Sequence, residues 1–257
     1  MKTLFLIIFS LIAMYLIAIA LLYFLQRNLL FHPMPWVDNT GREEIILDNQ
    51  GLKLQGWILN RGRDKALIYF GGNAESISDN FHLFEQLFED HTVYLIDYRG
   101  YGKSEGQPNE KGMFSDAMAI YDQVKPEHQS ISLMGRSLGS GVAVYLAASR
   151  SIDKLVLITP YDSIAEVAQS HYPYFPARYL VKDRFESVRY APDVKASVLI
   201  LIAELDRVIN PQHSEKLAQK FSSDQLSIEK ILGAAHNNVS DFKQYRQSLS
   251  KFFDSSA

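Results

Sequence analysis

One serine of the chain is flanked by glycines and follows an apolar run. The segment GRSLG, residues 135–139, fits the pattern G-x-S-x-G, with the run ISLM before it and the Ala-rich stretch SGVAVYLAASR after it. A strand, this pattern and a helix together form a sharp turn that exposes the serine hydroxyl. The N-terminus of the helix favours negative charge developing beside it. The segment therefore predicts Ser137 as a nucleophile; the alternative is a flexible glycine turn without a chemical role.

His236 is the histidine best placed to activate this serine. A serine hydroxyl becomes a good nucleophile only when a base takes its proton, and an acidic group must orient that base. Of the seven histidines, His236 lies in the small-residue loop GAAHNN, between the last predicted strand and the last predicted helix. We expect this loop to bring His236 over Ser137; the alternative is a histidine of a surface loop.

The acid is predicted from the ends of the strands. In an open α/β sheet, functional residues collect beyond the carboxyl ends of the strands. Asp206 comes just after the apolar run SVLILIA, residues 197–203, and is the predicted acid. Glu204, nearer the end of that run, and Asp162, after the run that ends at Thr159, stay open as alternatives.

Two backbone amides are expected to hold the oxyanion of an acyl-transfer reaction. One is the N–H of Leu138, which directly follows the serine. The other comes from the loop GGNAES, residues 71–76, after the apolar run ALIYF, and we assign it to Asn73. The two glycines let this loop turn its amides toward the site; the alternative is an ordinary Gly-Gly turn.

Short apolar runs alternate with amphipathic stretches beyond residue 65. The runs resemble buried parallel strands, and the stretches between them have helical spacing. An earlier pair of runs brackets the turn NQG and predicts an antiparallel hairpin. The predicted strands cover residues 66–70, 92–97, 131–135, 154–159, 197–203 and 226–232, and the predicted helices cover residues 76–90, 115–125, 139–149, 212–221 and 240–253. This order predicts an α/β fold, a mostly parallel sheet with helices on both faces.

The composition excludes several classes of protein. The chain has 257 residues, 47% of them hydrophobic and 21% charged, which suits one globular domain with an appendage. Its formal charge of −3 comes from interspersed acids and bases, so nucleic acid is not an expected partner. There is no cysteine, which excludes disulfides, thiolate metal sites and a cysteine nucleophile. The expected chemistry needs neither a cofactor nor a metal.

The appendage is an apolar N-terminal stretch. Residues 4–26 carry no charge and span about 33 Å as a helix, enough for a bilayer core of about 30 Å. We predict a membrane anchor over residues 1–27, with a cleaved signal peptide or a buried core helix as alternatives. Lys2 and the α-amine on one side face Arg27 and Arg42 on the other, so charge does not settle the topology. The exported side is favoured slightly for the domain, and the sequence sets no oligomeric state.

The rest of the chain, residues 28–257, is predicted to be one catalytic domain. It begins with a proline-containing linker in which Trp36 is expected near the membrane interface. Residues 163–195 break the strand–helix rhythm with three prolines and many aromatic residues, and we expect a small cap there. These aromatic side chains suit the binding of acyl chains, or they pack as core.

Taken together, the motifs YFGGNAES, DYRGYGKSEG, GRSLGSG, AELDRVINP and GAAHNN resemble those of the α/β-hydrolase superfamily. Within it they are similar to the membrane-anchored branch of Bem46-like proteins and the ABHD12, ABHD13 and ABHD17 types. The resemblance implies Ser137 as nucleophile, Asp206 as acid and His236 as base, as reached above. Many relatives have His-Gly where this chain has Gly71-Gly72. Since the donor there is a backbone amide, the oxyanion hole is expected to survive.

The sequence thus predicts a membrane-anchored serine hydrolase that cleaves acyl ester-type bonds of a small or lipid-like substrate. A peptidase of the same fold is an alternative and would need an acidic residue for the substrate amine, such as Glu75 or Asp162. A hydrolase-fold protein that binds a ligand without catalysis is another. Asp97 and Arg99 are expected to brace loops beneath the site. Arg136 is expected to face either a substrate or a neighbouring carboxylate such as Asp162, and the sequence leaves both open.

Overall fold

A single sheet organises the domain. The computed structural model describes residues 1–38 and 41–254. The last three residues of the predicted domain, 255–257, lie outside that part. Eight strands in the described residues have the order β1-β2-β4-β3-β5-β6-β7-β8. They are β1 Glu43–Asn49, β2 Leu52–Leu59, β3 Lys65–Phe70, β4 His91–Ile96, β5 Ser130–Arg136, β6 Lys154–Ile158, β7 Ser197–Ala203 and β8 Leu226–Ile231. β1 and β2 form the predicted hairpin, β2 pairs antiparallel with β4, and the remaining pairs are parallel.

Helices cover both faces of this sheet, as predicted. The α-helices of the described residues are α1 Lys2–Leu30, α2 Phe81–Leu87, α3 Glu110–Val124, α4 Leu138–Ser149, α5 Ile164–His171, α6 Ala177–Leu180, α7 Ser187–Tyr190, α8 Pro211–Ala218 and α9 Lys243–Asp254. One apolar layer joins the sheet to α3, α4 and α8, and a second joins it to α2 and α9. Strands buried on both faces read as unbroken apolar runs, which is why the sequence revealed them.

Helix α3 begins earlier than the predicted 115. The side chain of Asn109 accepts a hydrogen bond of 2.8 Å from the N–H of Gly112, so it caps the helix and Glu110 becomes its first residue. Gly112 inside the first turn had hidden this start, because glycine is a poor helix former. Its lack of a side chain leaves space for the guanidinium of Arg99.

The segment after α1 packs on the domain instead of forming a free linker. Phe31 is buried, and the carbonyl of Met34 accepts a 2.9 Å hydrogen bond from the N–H of Gly102. The ring of Trp36, which we expect near a membrane interface, stacks on Trp57 with 3.9 Å between centroids. The chain is therefore held against the sheet edge directly beyond the helix.

The predicted excursion consists of the short helices α5, α6 and α7 between β6 and β7. Ser163 begins it as an N-cap whose hydroxyl accepts from the N–H of Glu166 at 3.1 Å. The N–H of Ile164 donates to the carbonyl of Arg184 at 2.8 Å, which closes the excursion on itself. We call residues 163–195 the cap, since they cover the carboxyl edge of the sheet.

Helix α1 is long and apolar enough to cross a membrane, and none of its residues is buried. Its 29 residues correspond to about 43 Å. It extends three residues beyond the predicted boundary at 27 before the chain becomes extended at Phe31. An apolar helix with its side chains exposed has no hydrophobic partner in water, so its composition suits a bilayer.

Candidate active site

Ser137 stands on a strained turn between β5 and α4. Its backbone has φ 48° and ψ −116°, a left-handed conformation that costs free energy in a residue other than glycine. Hydrogen bonds hold it there: its N–H donates to Ile158 O at 2.9 Å, and the Ser140 hydroxyl donates to Ser137 O at 2.6 Å. The turn directs the Ser137 side chain into the cavity at the carboxyl edge of the sheet.

The glycines of the motif are required by close approach. A Cβ atom on Gly135 would lie 2.5 Å from the carbonyl oxygen of Gly139. A Cβ on Gly139 would overlap the carbonyl oxygen of Phe70, at the end of β3. Side chains at either position would therefore push α4 away from the sheet and change the aim of Ser137.

The structure brings the three predicted catalytic side chains together. Ser137 Oγ lies 2.9 Å from His236 Nε2, and His236 Nδ1 lies 2.7 Å from Asp206 Oδ2. A carboxylate only accepts, so Nδ1 carries the proton and Nε2 is left to accept from the serine hydroxyl. Each of the three residues is at most 9% exposed. The other carboxylate oxygen, Asp206 Oδ1, accepts from the N–H groups of Val208 and Ile209, both at 2.8 Å.

The two alternative acids are engaged elsewhere. Glu204 accepts from the N–H of Gly233 at 2.9 Å. Asp162 Oδ1 lies 2.8 Å from Nδ1 of another histidine, His213, and also accepts from the N–H of Ser163. Neither carboxylate contacts His236, so Asp206 is the acid that the geometry favours.

The loop after β3 approaches the serine closely. A Cβ atom on Gly72 would lie 3.9 Å from Cβ of Ser137, and the N–H of Gly72 is occupied by the carboxylate of Glu75. Asn73 and Leu138, the predicted sources of the oxyanion donors, both line the cavity with Ser137. Within the described residues, the N–H of Asn73 makes no hydrogen bond, so it is available to a ligand.

The side chain of Asn73 has a role that the sequence did not reveal. Its amide nitrogen donates to Leu30 O, at the end of α1, and its oxygen accepts from the N–H of His32 at 3.0 Å. The same oxygen accepts from the hydroxyl of Tyr101 at 2.8 Å. The loop after β3 is therefore fastened to the last turn of α1 and the residues just after it.

Arg136 links the loop after β3, which contains Glu75, to the loop that carries His236. Its guanidinium lies 3.5 Å from Glu75 Oε1 and donates to the carbonyls of His236 and Asn237 at 3.4 and 3.3 Å. Its partner is thus Glu75, and not Asp162 as the sequence had suggested. Glu75 also accepts from the Tyr69 hydroxyl at 2.7 Å, and burial together with the nearby Glu75 charge raises the pKa of Tyr69 well above its ordinary value.

Asp97 and Arg99 lie below the cavity, in the loop after β4. Arg99 makes two hydrogen bonds of 2.6 Å to Asp116, which fix the loop to α3. Burial raises the pKa of Asp97 to about 7. A Cβ on Gly102 would collide with the Asp97 carboxylate, so the loop folds tightly around it. Both residues contact the loop framework and not Ser137.

The cavity above Ser137 has a volume of about 760 Å³ and mostly apolar walls. Its cap side includes Val167, Phe175 and Leu180, and its opposite side includes Leu22 and Leu29 of α1. This second wall could not be predicted, because the apolar residues of α1 are alike along its length. Among the described residues, no cluster of three His, Asp or Glu side chains is arranged to hold a metal.

Comparison with known proteins agrees with this fold. Residues 65–189 match the family profile described as the alpha/beta hydrolase fold. An uncharacterized protein of Mycobacterium tuberculosis is 32% identical over 228 residues, which cover 83% of this chain and 81% of that protein. The lysophosphatidylserine lipase ABHD12 of Danio rerio is 32% identical over 220 residues, which cover 72% of this chain and 57% of that protein.

Solved structures give the same result for the fold. The Pyrococcus furiosus esterase Pf2001 superposes with a TM-score of 0.73 at 18% identity, covering 87% of this chain and 97% of that chain. The chain therefore belongs to the α/β-hydrolase family. Within that family it is an ABHD12-like hydrolase of the esterase or lipase type.

Proposed function

We propose that this ester hydrolase is a membrane-anchored serine enzyme whose substrate is an acyl ester with a lipid-like chain. Ser137 is the nucleophile, His236 the general base and then acid, and Asp206 the group that orients the histidine. The backbone N–H groups of Leu138 and Asn73 hold the oxyanion, and α1 anchors the enzyme in the membrane.

The reaction follows from these roles. His236 Nε2 takes the proton as Ser137 Oγ attacks the acyl carbonyl, and Asp206 stabilises the imidazolium that forms. The two N–H groups, with the N-terminus of α4 behind Leu138, stabilise the negative oxygen of the tetrahedral intermediate. His236 then protonates the leaving alcohol, and an acyl-enzyme remains on Ser137. Water attacks this ester with His236 again as base, and the acid product leaves.

The single observation that carries the proposal is the continuous relay of hydrogen bonds. Ser137 Oγ to His236 Nε2 measures 2.9 Å, and His236 Nδ1 to Asp206 Oδ2 measures 2.7 Å. The relay ends at a serine held in a strained conformation at a helix N-terminus, where an oxyanion is stabilised. Such a constellation has the roles and geometry of a nucleophile, its base and an orienting acid.

Contacts in the site favour esters over peptides. A peptidase that recognises a free amine would need an uncommitted carboxylate near Ser137. Glu75 accepts from Tyr69, Asn80 and Gly72, and Asp162 is bonded to His213. The apolar walls of the cavity suit an acyl chain instead. The name of the Danio rerio relative, a lysophosphatidylserine lipase, is consistent with this substrate class.

A fluorophosphonate probe and a substrate series test the proposal. The wild-type chain is expected to react covalently with the probe at Ser137 and to hydrolyse p-nitrophenyl esters and lysophospholipids in detergent micelles. Ser137→Ala is expected to lose both activities with an unchanged circular dichroism spectrum. Absence of probe labelling in the folded wild-type chain would favour a ligand-binding protein. Faster cleavage of peptide amides than of esters would favour a peptidase.

A further inference from the structure

The cap contacts helix α1 far from the domain end of that helix. The hydroxyl of Tyr15 donates to the carbonyl of Tyr174 at 2.9 Å. The ring of Tyr15 stacks on Phe175, with centroids 5.5 Å apart and planes at 13°. Tyr15 lies near the middle of α1, so the cap reaches half-way along the apolar helix.

A second group of contacts fixes the cap to the domain end of α1. Arg27 forms an ion pair of 2.7 Å with Asp183. Gln26 donates to the carbonyl of Leu180 at 3.2 Å and accepts from the N–H of Lys182 at 2.6 Å. From Arg27 to Tyr15 the helix rises by about 18 Å. The cap therefore lies along α1 over that length, held at both ends.

The length of α1 decides where these contacts lie relative to a bilayer. A hydrocarbon core of about 30 Å takes about 20 helical residues. In the shallowest placement, with the far surface of the core at Lys2, the core ends near Leu22, and Tyr15 lies about 10 Å inside it. Tilting the helix lengthens the buried segment and places Tyr15 deeper. A spanning α1 thus carries the edge of the cap below the membrane surface.

The chemistry of that edge agrees with this position. Tyr172, Tyr174 and Tyr179 are 49%, 87% and 79% exposed, which is unusual for a cluster of large aromatic side chains in water. Tyrosine is enriched where membranes meet water. Lys182 lies with Nζ 4.0 Å from the ring centre of Tyr23 on α1, as expected of a lysine that reaches back toward the headgroups.

We infer that residues 172–179, the cap tip, are a membrane-inserted surface, and that the cavity of Ser137 receives its substrate from within the bilayer. The cavity lies between the cap and α1, with Leu22 and Gln26 on its α1 side and Tyr172 and Phe175 on its cap side. An amphiphile with a flexible acyl chain can leave the lipid between these walls without crossing water. The insertion of the cap tip rests on the anchoring by α1 proposed above and not on catalysis, whereas the route of the substrate rests on both.

The chain contains no cysteine, so a single introduced cysteine carries a spin label without a competing site. We would place labels at Tyr174→Cys and, as a matched control, at Lys251→Cys. Lys251 is exposed near the end of α9, where Phe252 contacts Lys154 at the amino ends of the strands. The full chain would be reconstituted in phosphatidylcholine vesicles, and power saturation would compare collisions with oxygen and with a water-soluble nickel chelate.

A label at position 174 is expected to collide several-fold more with oxygen than with the chelate, and a label at 251 is expected to show the reverse. Equal chelate access at the two positions would overturn the insertion of the cap tip. This readout does not use catalysis, so it stands apart from the function of Ser137.

A second measurement tests the route of the substrate. Tyr174→Asp adds a charge to the cap tip. Because a charge is unfavourable in the bilayer, the population of the inserted cap tip is expected to fall about tenfold. Its rate on a lysophospholipid embedded in vesicles is expected to fall about tenfold, while its rate on a water-soluble acetate ester and its probe labelling stay as in the wild type. Tyr179→Phe is the control, because it changes another exposed tyrosine of the cap tip without adding a charge. An equal loss on both substrates, or on neither, would overturn the route through the bilayer.

Discussion

Two aspartate–histidine pairs lie at the carboxyl edge of the sheet, and each has a serine hydroxyl beside it. In one, Asp206 and His236 lead to Ser137, with distances of 2.7 and 2.9 Å. In the other, Asp162 and His213 are 2.8 Å apart, and Ser170 Oγ lies 3.3 Å from the second nitrogen of the ring. Both aspartates and both histidines are buried. By residue type alone, the two sets are equivalent.

Their backbone settings differ. Ser137 is strained at the N-terminus of α4, where the helix dipole favours an oxyanion, and among the described residues its hydroxyl contacts only His236. Ser170 lies in the last turn of α5, where the dipole disfavours negative charge, and its hydroxyl donates to Val167 O at 2.7 Å. A serine becomes reactive where a base can take its proton and a helix N-terminus can stabilise the oxyanion that forms.

The largest contrast is expected between the two serines. Ser137→Ala removes the proposed nucleophile and is expected to lower ester hydrolysis by about 10⁴-fold or more, to the level left by substrate binding and the proposed oxyanion donors. Ser170→Ala is expected to leave hydrolysis and fluorophosphonate labelling unchanged. Rates and gel-based labelling of both variants check this. Retained labelling in Ser137→Ala, or its loss in Ser170→Ala, would contradict the assignment.

Substitution of the two aspartates is expected to change different quantities, kcat for Asp206 and the free energy of unfolding for Asp162. Asp206→Asn is expected to lower kcat by about 10⁴-fold because the amide no longer fixes the tautomer of His236. Asp162→Asn removes a buried contact to His213 and is expected to lower the free energy of unfolding by about 1–3 kcal/mol with kcat nearly unchanged. Urea denaturation and steady-state kinetics measure the two effects. If both variants lost kcat equally, the pairs would not differ in function.

Arg136 joins the loops of Glu75 and His236, whereas the cation at the second pair, Lys216, lies 3.8 Å from Asp162 itself. Arg136→Met frees the loops of Glu75 and His236 from each other and is expected to lower kcat by about 10²-fold with a smaller change in KM, because the base is misplaced. Arg136→Lys, which keeps the charge, is expected to restore part of kcat. The effects of Arg136→Met and Glu75→Gln on kcat are expected to be non-additive, since both changes break the same contact between Arg136 and Glu75. A parallel loss of kcat and thermal stability that lysine does not rescue would indicate a structural role only.

Asp97 is a half-buried aspartate that contacts neither histidine pair, and it gives the smallest expected effect. Its folded-state pKa of about 7 lies above the unfolded value, so the unfolded chain loses the proton first and stability falls as pH rises from about 4 to about 7. With allowance for the solvent that reaches this side chain, the fall is about 2 kcal/mol. Asp97→Asn is expected to abolish it in urea titrations at pH 5 and pH 7.5. An identical pH dependence in the variant would show that Asp97 is ionised throughout.

Much of the fold was predictable because local patterns and tertiary burial agree. The runs at β5 and β7 are apolar throughout, as strands covered on both faces must be, and the motif around Ser137 needs its glycines for steric reasons. The start of α3 was missed because a glycine weakens its helical pattern. The alternatives to Asp206 could not be eliminated by spacing, since three carboxylates follow strands. Distances in space were needed.

The contacts of Arg136, Asn73 and Tyr15 could not have been predicted. Each joins segments that are far apart in the chain: Arg136 reaches across about a hundred residues to His236, and Tyr15 reaches the cap at Tyr174. The residue pattern within one segment does not predict a contact with a distant segment. What the sequence supplied was the position of reactive groups at strand ends, where the topology makes them converge.

The hydrogen bonds of Asn73 determine where the chain can be shortened. Its side chain is satisfied by Leu30 O and His32 N, which belong to the last turn of α1 and the residues just after it. A fragment that starts at Asn28 keeps both partners, whereas one that starts at Pro33 leaves the Asn73 side chain without them. The final turn of α1 is in this sense part of the folded domain, and a shortened version has to carry it.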